Sequence, residues 1–447
     1  MRAALPTDDE LSGLEVLVCG LGLFGGGAAV VRFLAARGAN VTITDLRTAD
    51  DLAESLAALD GVPFRPVLGE HRARDFQGAD LVVVNPAVPL TSPYLAAARA
   101  AGVPWTSEVA LTFDRLRARL VLVTGSKGKS TTAALLREMV AASGREATLA
   151  GNVGHALVET ASTLPPEHVV VFEISSFQLE QIAGLPRRPE AAVVTNLFPV
   201  HLDRHRTFDA YRAVKRTALA GAGAAVLNAA DDEVRAFADG FDGPVEWFDP
   251  AAPFVPVGEL RVRGAHNATN ATAAWCAARR LGVEEEVAAG AARGFEGLPH
   301  RLRTVHREGG VTWVDDSIAT SPRATCAALE AVSAEGPIVL IVGGVETDAD
   351  LADLPRAAAD RARVAITAGE TAERLARALR GTPGLEVVVT PGLDEAVAAA
   401  RARARPGDVV LLSPGFPSYD GFRNFTERGE RFRWLAMQSL KGGARPS

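Results

Sequence analysis

Along the chain, short runs of Val, Leu and Ile without polar interruption alternate with longer Ala-, Leu- and Arg-rich stretches whose apolar residues recur at helical spacing. Unbroken apolar runs suit strands buried on both faces, and such strands belong to parallel sheets covered by helices. The pattern predicts an α/β fold and occurs in three blocks. The first holds EVLVC, the helical AAVVRFLAARG, then NVTITD, FRPVL and DLVVVNP, and it fades near Thr106–Arg117. The second opens with RLVLVTG and runs through HVVVFEIS, AAVVTNL and AAVLNA to an Ala-rich helix around Ala268–Leu281, with a linker near Gly294–His300. The third carries VTWVDDS, PIVLIVGG, RVAITAG, LEVVVT and DVVLLSPG, each followed by a helical stretch, and a last helix from about Ser418 to Leu440. A chain of 447 residues is long enough for about three domains, and the block edges place them at 1–112, 113–298 and 299–447.

Composition narrows the function classes. Lys plus Arg is 47 against 54 Asp plus Glu, a formal net charge of −7, so no global basic field exists to hold nucleic acid or an anionic membrane. No run of eighteen apolar residues occurs, and the first fifteen residues are acidic where a signal peptide would need an apolar core. Cys19, Cys276 and Cys326 are scattered and odd in number, which fits a reducing compartment and no zinc site. A cytoplasmic protein is the expectation.

Two glycine loops carry candidate chemistry. Gly20-Leu21-Gly22-Leu23-Phe24-Gly25 follows a predicted strand and opens a helix, with Asp45 at the tip of the next strand, which is the context of a dinucleotide fold. The second loop, Thr124-Gly125-Ser126-Lys127-Gly128-Lys129-Ser130-Thr131, is a shortened phosphate-binding loop. Its glycines free backbone N–H groups, Lys129 reaches terminal phosphates and Ser130 offers a hydroxyl to Mg²⁺, so ATP with Mg²⁺ is the implied ligand. Glu173 ends an apolar strand opposite that loop and is a Mg²⁺ ligand candidate. Thr195–His205 brings two histidines and an aspartate close in sequence, and His201 suits a second Mg²⁺ or a substrate oxygen. Lys215 follows in a helix, YRAVKRTAL.

The shortened loop, FEISSFQLE, TNLFPVHLDRH, GAHNATNATAA, GLPHR, DDSIAT and LLSPGFPSYDGFRNFTERGERF together resemble the Mur ligases, ATP-dependent amide ligases of peptidoglycan synthesis. The resemblance covers all three blocks in order, and is greatest to the branch that adds D-glutamate to UDP-N-acetylmuramoyl-L-alanine. It implies a Rossmann-like first domain that binds the UDP substrate, a P-loop ATPase-like middle domain and a Rossmann-like third domain that brings the amino acid. Gly20, Leu23, Phe24, Asp45, Arg47 and Asn85 would then hold the UDP substrate, with Asn152, His201, Thr320, Ser413 and Phe422 as further substrate contacts. Gly125 to Thr131 would cradle ATP, Asn267 and Asn270 would meet adenine, and Arg301 and Asp316 the nucleotide. Lys129, Glu173, His201 and Lys215 become the catalytic set. Ser130 and Glu173 would bind one Mg²⁺ and His201 a second, with Lys215 carbamylated to help hold the metals. The resemblance also implies a monomer.

The chain departs from this family at several points. Ser126 replaces a Thr or Asn, Val200 stands where an Asp usually precedes the histidine, and Ile318 and Thr347 stand where lysines face the amino-acid carboxylates. Arg323 or Arg423 would be the replacement cation. The departures leave open the same ligation with L-glutamate, or a non-catalytic nucleotide-binding regulator. A dehydrogenase using the first glycine loop is the remaining alternative, and it leaves the phosphate loop idle.

Overall fold

The computed structural model describes residues 5–23, 25–154, 156–182, 184, 188–347, 349–418 and 421–438. The first sheet is built from β1 (Glu15–Cys19), β2 (Asn40–Asp45), β3 (Arg65–Leu68), β4 (Leu81–Val84) and β5 (Trp105–Thr106), in the order β3-β2-β1-β4-β5 and wholly parallel. The second holds β6 (Arg119–Thr124), β7 (Ala147–Gly151), β8 (Val169–Glu173), β9 (Ala191–Val194), β10 (Ala225–Asn228) and β11 (Val245–Phe248), in the order β11-β10-β9-β6-β8-β7, again parallel. The third contains β12 (Arg303–Glu308), β13 (Val311–Asp315), β14 (Ile338–Gly343), β15 (Ala362–Ala368), β16 (Glu386–Val389) and β17 (Val409–Leu412), in the order β12-β13-β17-β14-β15-β16. Only the β12–β13 pairing is antiparallel, so the α/β class with mostly parallel sheets holds in all three blocks. Most of the apolar runs read from the sequence are central strands. Val121–Val123, Val169–Val171 and Ala191–Val194 are buried throughout, as strands covered by helices on both faces must be.

Of the edge strands, the sequence pattern found β3 in FRPVL and β16 in LEVVVT and missed β5, β7, β11 and β12. β7, β11 and β12 mix small, polar and charged residues because one side of each is only partly covered, and the apolar run that marks a central strand is absent there. Thr106–Arg117, where the pattern fades, contains the helix Glu108–Arg115, capped by the Ser107 hydroxyl accepting the Ala110 N–H. The last helix starts at Phe425 rather than near Ser418, because the Asn424 side chain accepts the Glu427 N–H and caps it there. That helix ends at Met437, and Leu440 lies outside the described residues.

The contacts divide the chain into two compact units, residues 1–260 with 265–295 and residues 261–264 with 296–447. Within the first unit the two sheets share packing. Val158 and Leu111 enter the core that covers β1 and β2, and Arg32 makes a bidentate pair with Glu159 at 3.1 and 2.8 Å. In the second unit Arg263 donates to the Leu302 carbonyl at 2.5 Å and to Thr304 Oγ1 at 2.7 Å, which ties residues 261–264 to β12.

Glycine is required where β14 ends. Gly343 has φ 138°, and a Cβ there would sit 1.9 Å from the Ala368 carbonyl oxygen, part of the backbone of β15. Gly343→Ala is expected to lower the stability of the second unit by at least about 2 kcal/mol. Urea unfolding followed by tryptophan fluorescence reads this as a lower midpoint with an unchanged slope.

Candidate active site

The site grows from the carboxyl ends of the second sheet, where a parallel strand hands over to a helix and unpaired backbone N–H groups point outward. β6 ends at Thr124 and the helix Lys129–Ala142 begins five residues later. The turn between them closes so tightly that a Cβ on Gly125 would lie 2.0 Å from Thr195 Oγ1, and one on Gly128 2.4 Å from Asn270 Oδ1. Neighbouring segments hold the loop from below. Thr195 Oγ1 donates to the Lys127 carbonyl at 2.6 Å, Asn196 Nδ2 donates to the same oxygen at 3.1 Å, and the Lys127 N–H donates to Asn196 Oδ1 at 2.9 Å. The Ser126 hydroxyl meets Tyr211 Oη at 2.9 Å and accepts the Phe198 N–H at 3.0 Å. Lys129 Nζ donates to the Ser126 carbonyl at 3.0 Å, while Ser130 and Thr131 are buried in the first helical turn.

Two buried charged side chains border this loop. Glu173 is 1% exposed; its Oε1 accepts from Asn152 Nδ2 at 3.2 Å and its Oε2 is buried without a hydrogen-bond partner. A carboxylate oxygen left unsatisfied in the interior is costly, and a divalent cation would satisfy it. Lys215 is 2% exposed and donates from Nζ to Thr124 Oγ1 at 2.8 Å. Burial holds its ammonium well below the ordinary lysine range, the nearby Lys129 charge acts in the same direction, and Glu173 opposes both.

His201 stands in a strained turn. Its φ is 56° and its ring meets Phe177 edge-on at 5.2 Å. Partial burial lowers its pKa, Lys129 and Lys215 lower it further, and Asp203 opposes them, so the imidazole is neutral and able to accept a metal or a proton. Val200 packs against the apolar core, and Asp203 is exposed. Among the described residues no group of three or more His, Cys, Asp or Glu forms a closed metal cage. The residues present fit a Mg²⁺ that takes one or two protein ligands and fills its shell with phosphate oxygens and water. Asn270 Nδ2 donates to Asn267 Oδ1 at 3.0 Å, and Thr132 Oγ1 reaches Asn270 Oδ1 at 3.4 Å, so both asparagines border the phosphate loop.

The first glycine loop is organised by Asp45. Its Oδ2 accepts the N–H groups of Leu21 and Gly22 at 2.9 and 3.3 Å, and its Oδ1 accepts the Arg47 N–H at 3.0 Å. The carboxylate thus shapes the loop. Gly20 and Gly22 lie against Asn85, Leu23 packs on the first core and Arg47 is exposed. Phe24 lies outside the described residues.

In the second unit, Asp316 follows β13 and is 5% exposed. Its Oδ2 accepts the Ser413 hydroxyl at 2.8 Å and its Oδ1 accepts the Leu302 N–H at 3.2 Å. Burial pushes its pKa up to about 7. Arg301 sits between His300 and Leu302, which have φ 59° and 47°, so the turn that presents it is strained on both sides. Thr320 is exposed and Phe422 packs partly on the third-sheet core. Several arginines lie near Ile318 and Thr347 in sequence or space. Arg374 donates to the Thr347 and Ala349 carbonyls at 2.5 Å, Arg423 pairs with Glu427 at 3.2 Å, and Arg323 is exposed at the start of the helix Pro322–Val332. Sequence reasoning passed over Thr124, Asn196 and Tyr211, whose types are common in any loop or helix. The one available signal was their place directly after strands or within the same segments as the charged residues.

Asp316 gives a pH test. Its folded pKa of about 7 lies above the ordinary 3.8, so its contribution to stability is complete below about pH 4 and is lost as pH rises through about 7. Asp316→Asn removes that dependence. Thermal melts of both proteins are expected to show the wild type losing ground to the variant between about pH 4 and about pH 7.

Profiles of known families match all three blocks: the MurD-like N-terminal domain of the Mur ligases at residues 14–107, the Mur ligase middle domain at 123–245, and the Mur ligase glutamate ligase domain at 300–416. The UDP-N-acetylmuramoylalanine–D-glutamate ligase of Roseiflexus is 41% identical, covering 95% of this chain and 98% of its own. That of Geobacter metallireducens is 38% identical, covering 98% and 100%. Among solved structures, the UDP-N-acetylmuramate-alanine ligase of Thermotoga maritima has the same fold, with a TM-score of 0.61 at 19% identity, covering 95% of this chain and all of that one. Near-full-length identity at this level, together with three domain profiles in order, shows that the chain belongs to the Mur ligase family.

Proposed function

We infer that this protein is an ATP-dependent ligase that joins D-glutamate to UDP-N-acetylmuramoyl-L-alanine in peptidoglycan precursor synthesis. The observation that carries the chemistry is the convergence of the phosphate loop, the unsatisfied Glu173 oxygen and the buried Lys215 amine at one strand edge. The relatives that match over nearly their whole length are named for this D-glutamate ligation, which supports D- over L-glutamate despite Ile318 and Thr347.

A carboxylate at neutral pH is a poor electrophile, and the amine of an amino acid does not displace its oxygen. Transfer of the γ-phosphoryl group of ATP to the alanyl carboxylate gives an acyl phosphate and ADP. The glutamate amine then attacks the carbonyl carbon, and phosphate leaves from the tetrahedral intermediate as the amide forms. Little covalent work falls to the protein, so alignment and charge neutralisation carry the phosphoryl step. Backbone N–H groups of Gly125 to Thr131 would cradle the phosphates, Lys129 would meet the terminal phosphate, and Ser130, Glu173 and His201 would hold up to two Mg²⁺. The metal, when bound, neutralises phosphate charge. Asn267 and Asn270 would bind the adenine, and Arg301 and Asp316 would contact the nucleotide. Gly20, Leu23, Phe24, Asp45, Arg47, Asn85 and Asn152 would bind the UDP substrate, while Thr320, Ser413 and Phe422 border the amino-acid pocket. A division at 1–112, 113–298 and 299–447, a monomer and a cytoplasmic location complete the proposal. No described helix is long and apolar enough to cross a membrane.

Lys215 suits carbamylation. Burial favours the uncharged amine, which can attack CO₂ and release a proton to solvent, and the product is an anion suited to the metal sites beside it. Bicarbonate depletion is expected to lower turnover, and labelled bicarbonate to give a carbamate carbon signal in NMR that Lys215→Arg lacks.

Phosphate release from MgATP with UDP-N-acetylmuramoyl-L-alanine is expected with D-glutamate and absent with L-glutamate or without amino acid. Glu173→Gln should reduce it by roughly a hundredfold or more, the scale of losing one electrostatic contact in a phosphoryl or acyl transition state. Turnover with L-glutamate alone would reassign the substrate.

A further inference from the structure

His205 has no part in the chemistry above, yet it is among the most constrained side chains near the site. It is 6% exposed. Its Nδ1 lies 3.0 Å from Glu180 Oε1 and its Nε2 lies 2.9 Å from the Ser176 hydroxyl. A carboxylate can only accept, so the ring proton is on Nδ1 and Nε2 accepts from Ser176. Its ring also meets Tyr211 edge-on at 5.3 Å, and Tyr211 Oη reaches Ser126 of the phosphate loop at 2.9 Å.

Both hydrogen-bond partners lie on the short helix Ser176–Ile182, which begins three residues after Glu173 at the end of β8. The same helix holds the rest of the histidine segment. Arg204 donates from Nε and Nη2 to the one oxygen Oε2 of Glu180, at 3.1 and 2.8 Å, and lies over the Phe177 ring at 4.6 Å, and His201 meets the same ring edge-on. The segment is strained at both ends, with φ of 56° at His201 and 68° at Arg206. Strained residues persist only where the surroundings over-determine them. His205 therefore locks a turn that would otherwise relax, and the helix it locks onto is continuous with the strand that ends in Glu173.

We propose that His205 is a positioning residue, which through Ser176 and Glu180 fixes His201 relative to Glu173 and so sets the affinity of the site for the divalent cation of MgATP. The proposal rests on the reading of Glu173 and His201 as metal ligands. Groups that orient metal ligands typically change metal affinity by ten- to a hundredfold when removed.

The test is a Mg²⁺ titration of phosphate release by the full-length enzyme, with ATP, UDP-N-acetylmuramoyl-L-alanine and D-glutamate saturating. His205→Ala is expected to raise the half-saturating Mg²⁺ concentration by roughly tenfold with the KM for D-glutamate unchanged. His205→Asn keeps a donor toward Glu180 and should recover most of the shift. Glu180→Gln, which keeps the side chain's size, should move Mg²⁺ dependence in the same direction and serves if the alanine variant does not fold. His201→Ala separates the two levels. If it raises the Mg²⁺ requirement while His205→Ala and Glu180→Gln do not, the positioning role is overturned and the ligand assignment stands. If His201→Ala leaves the requirement unmoved, His201 is no ligand and the positioning role falls with it. Lower thermal stability with an unchanged Mg²⁺ requirement would make His205 merely structural.

Discussion

Lys215 and Glu173 are held where water scarcely reaches them: Glu173 ends β8, whose other residues are apolar, and Lys215 reaches from its helix to Thr124 at the end of β6. Burying an ammonium and a carboxylate in such a place costs stability unless each is paired or neutralised. The protein supplies Lys215 with the Thr124 hydroxyl and Glu173 with one asparagine donor, and it leaves a carboxylate oxygen without a partner. Under the proposed function, these side chains would meet a divalent cation and phosphate held by the loop beside them. Much of the surrounding structure serves to keep it in place: Thr124 donates to the Ile174 carbonyl at 2.7 Å, which closes β6 onto the segment after β8, and the helix Phe208–Arg216 delivers Lys215 from the far side.

Backbone strain gathers at the same places. Among the described residues, the non-glycine positions with positive φ are His201, Arg206, His300 and Leu302. One pair brackets the histidine segment of the first unit and the other brackets Arg301 in the second. Leu302 also packs on the third-sheet core, and strain of this kind is tolerated where the surroundings over-determine a residue and hold a side chain in a fixed direction. Each bracketed turn is anchored by a buried histidine and an acid: His205 on Glu180, and His300 Nδ1 on Asp315 Oδ2 at 2.7 Å.

The central strands were legible because burial on both faces writes an uninterrupted apolar run, as in LVLV of β6 and VVVF of β8. Edge strands β7 and β12 were not, because partial exposure there admits charges and small residues that read as loop, whereas β3 and β16 kept enough apolar residues to be read. The phosphate loop was legible because glycine and lysine types are demanded by a phosphate, whatever the fold. Glu173 was visible from its place after a strand. His205 and Tyr211 were not, since a buried histidine and a tyrosine on a helix carry no mark until their partners, thirty and eighty-odd residues away in sequence, are brought beside them. Lys215 looks like any helical lysine; only the helix's packing on β6 shows that its amine is buried.

The central claim is that the alanyl carboxylate is activated by phosphorylation at this strand edge. Heavy-oxygen labelling of that carboxylate tests it most directly. In a single turnover with MgATP and D-glutamate, one labelled oxygen is expected to pass from the carboxylate into the released phosphate, read by mass spectrometry. Phosphate formed without the label, at full yield of the amide, would mean that the bond forms by another route and would contradict the assignment of the site.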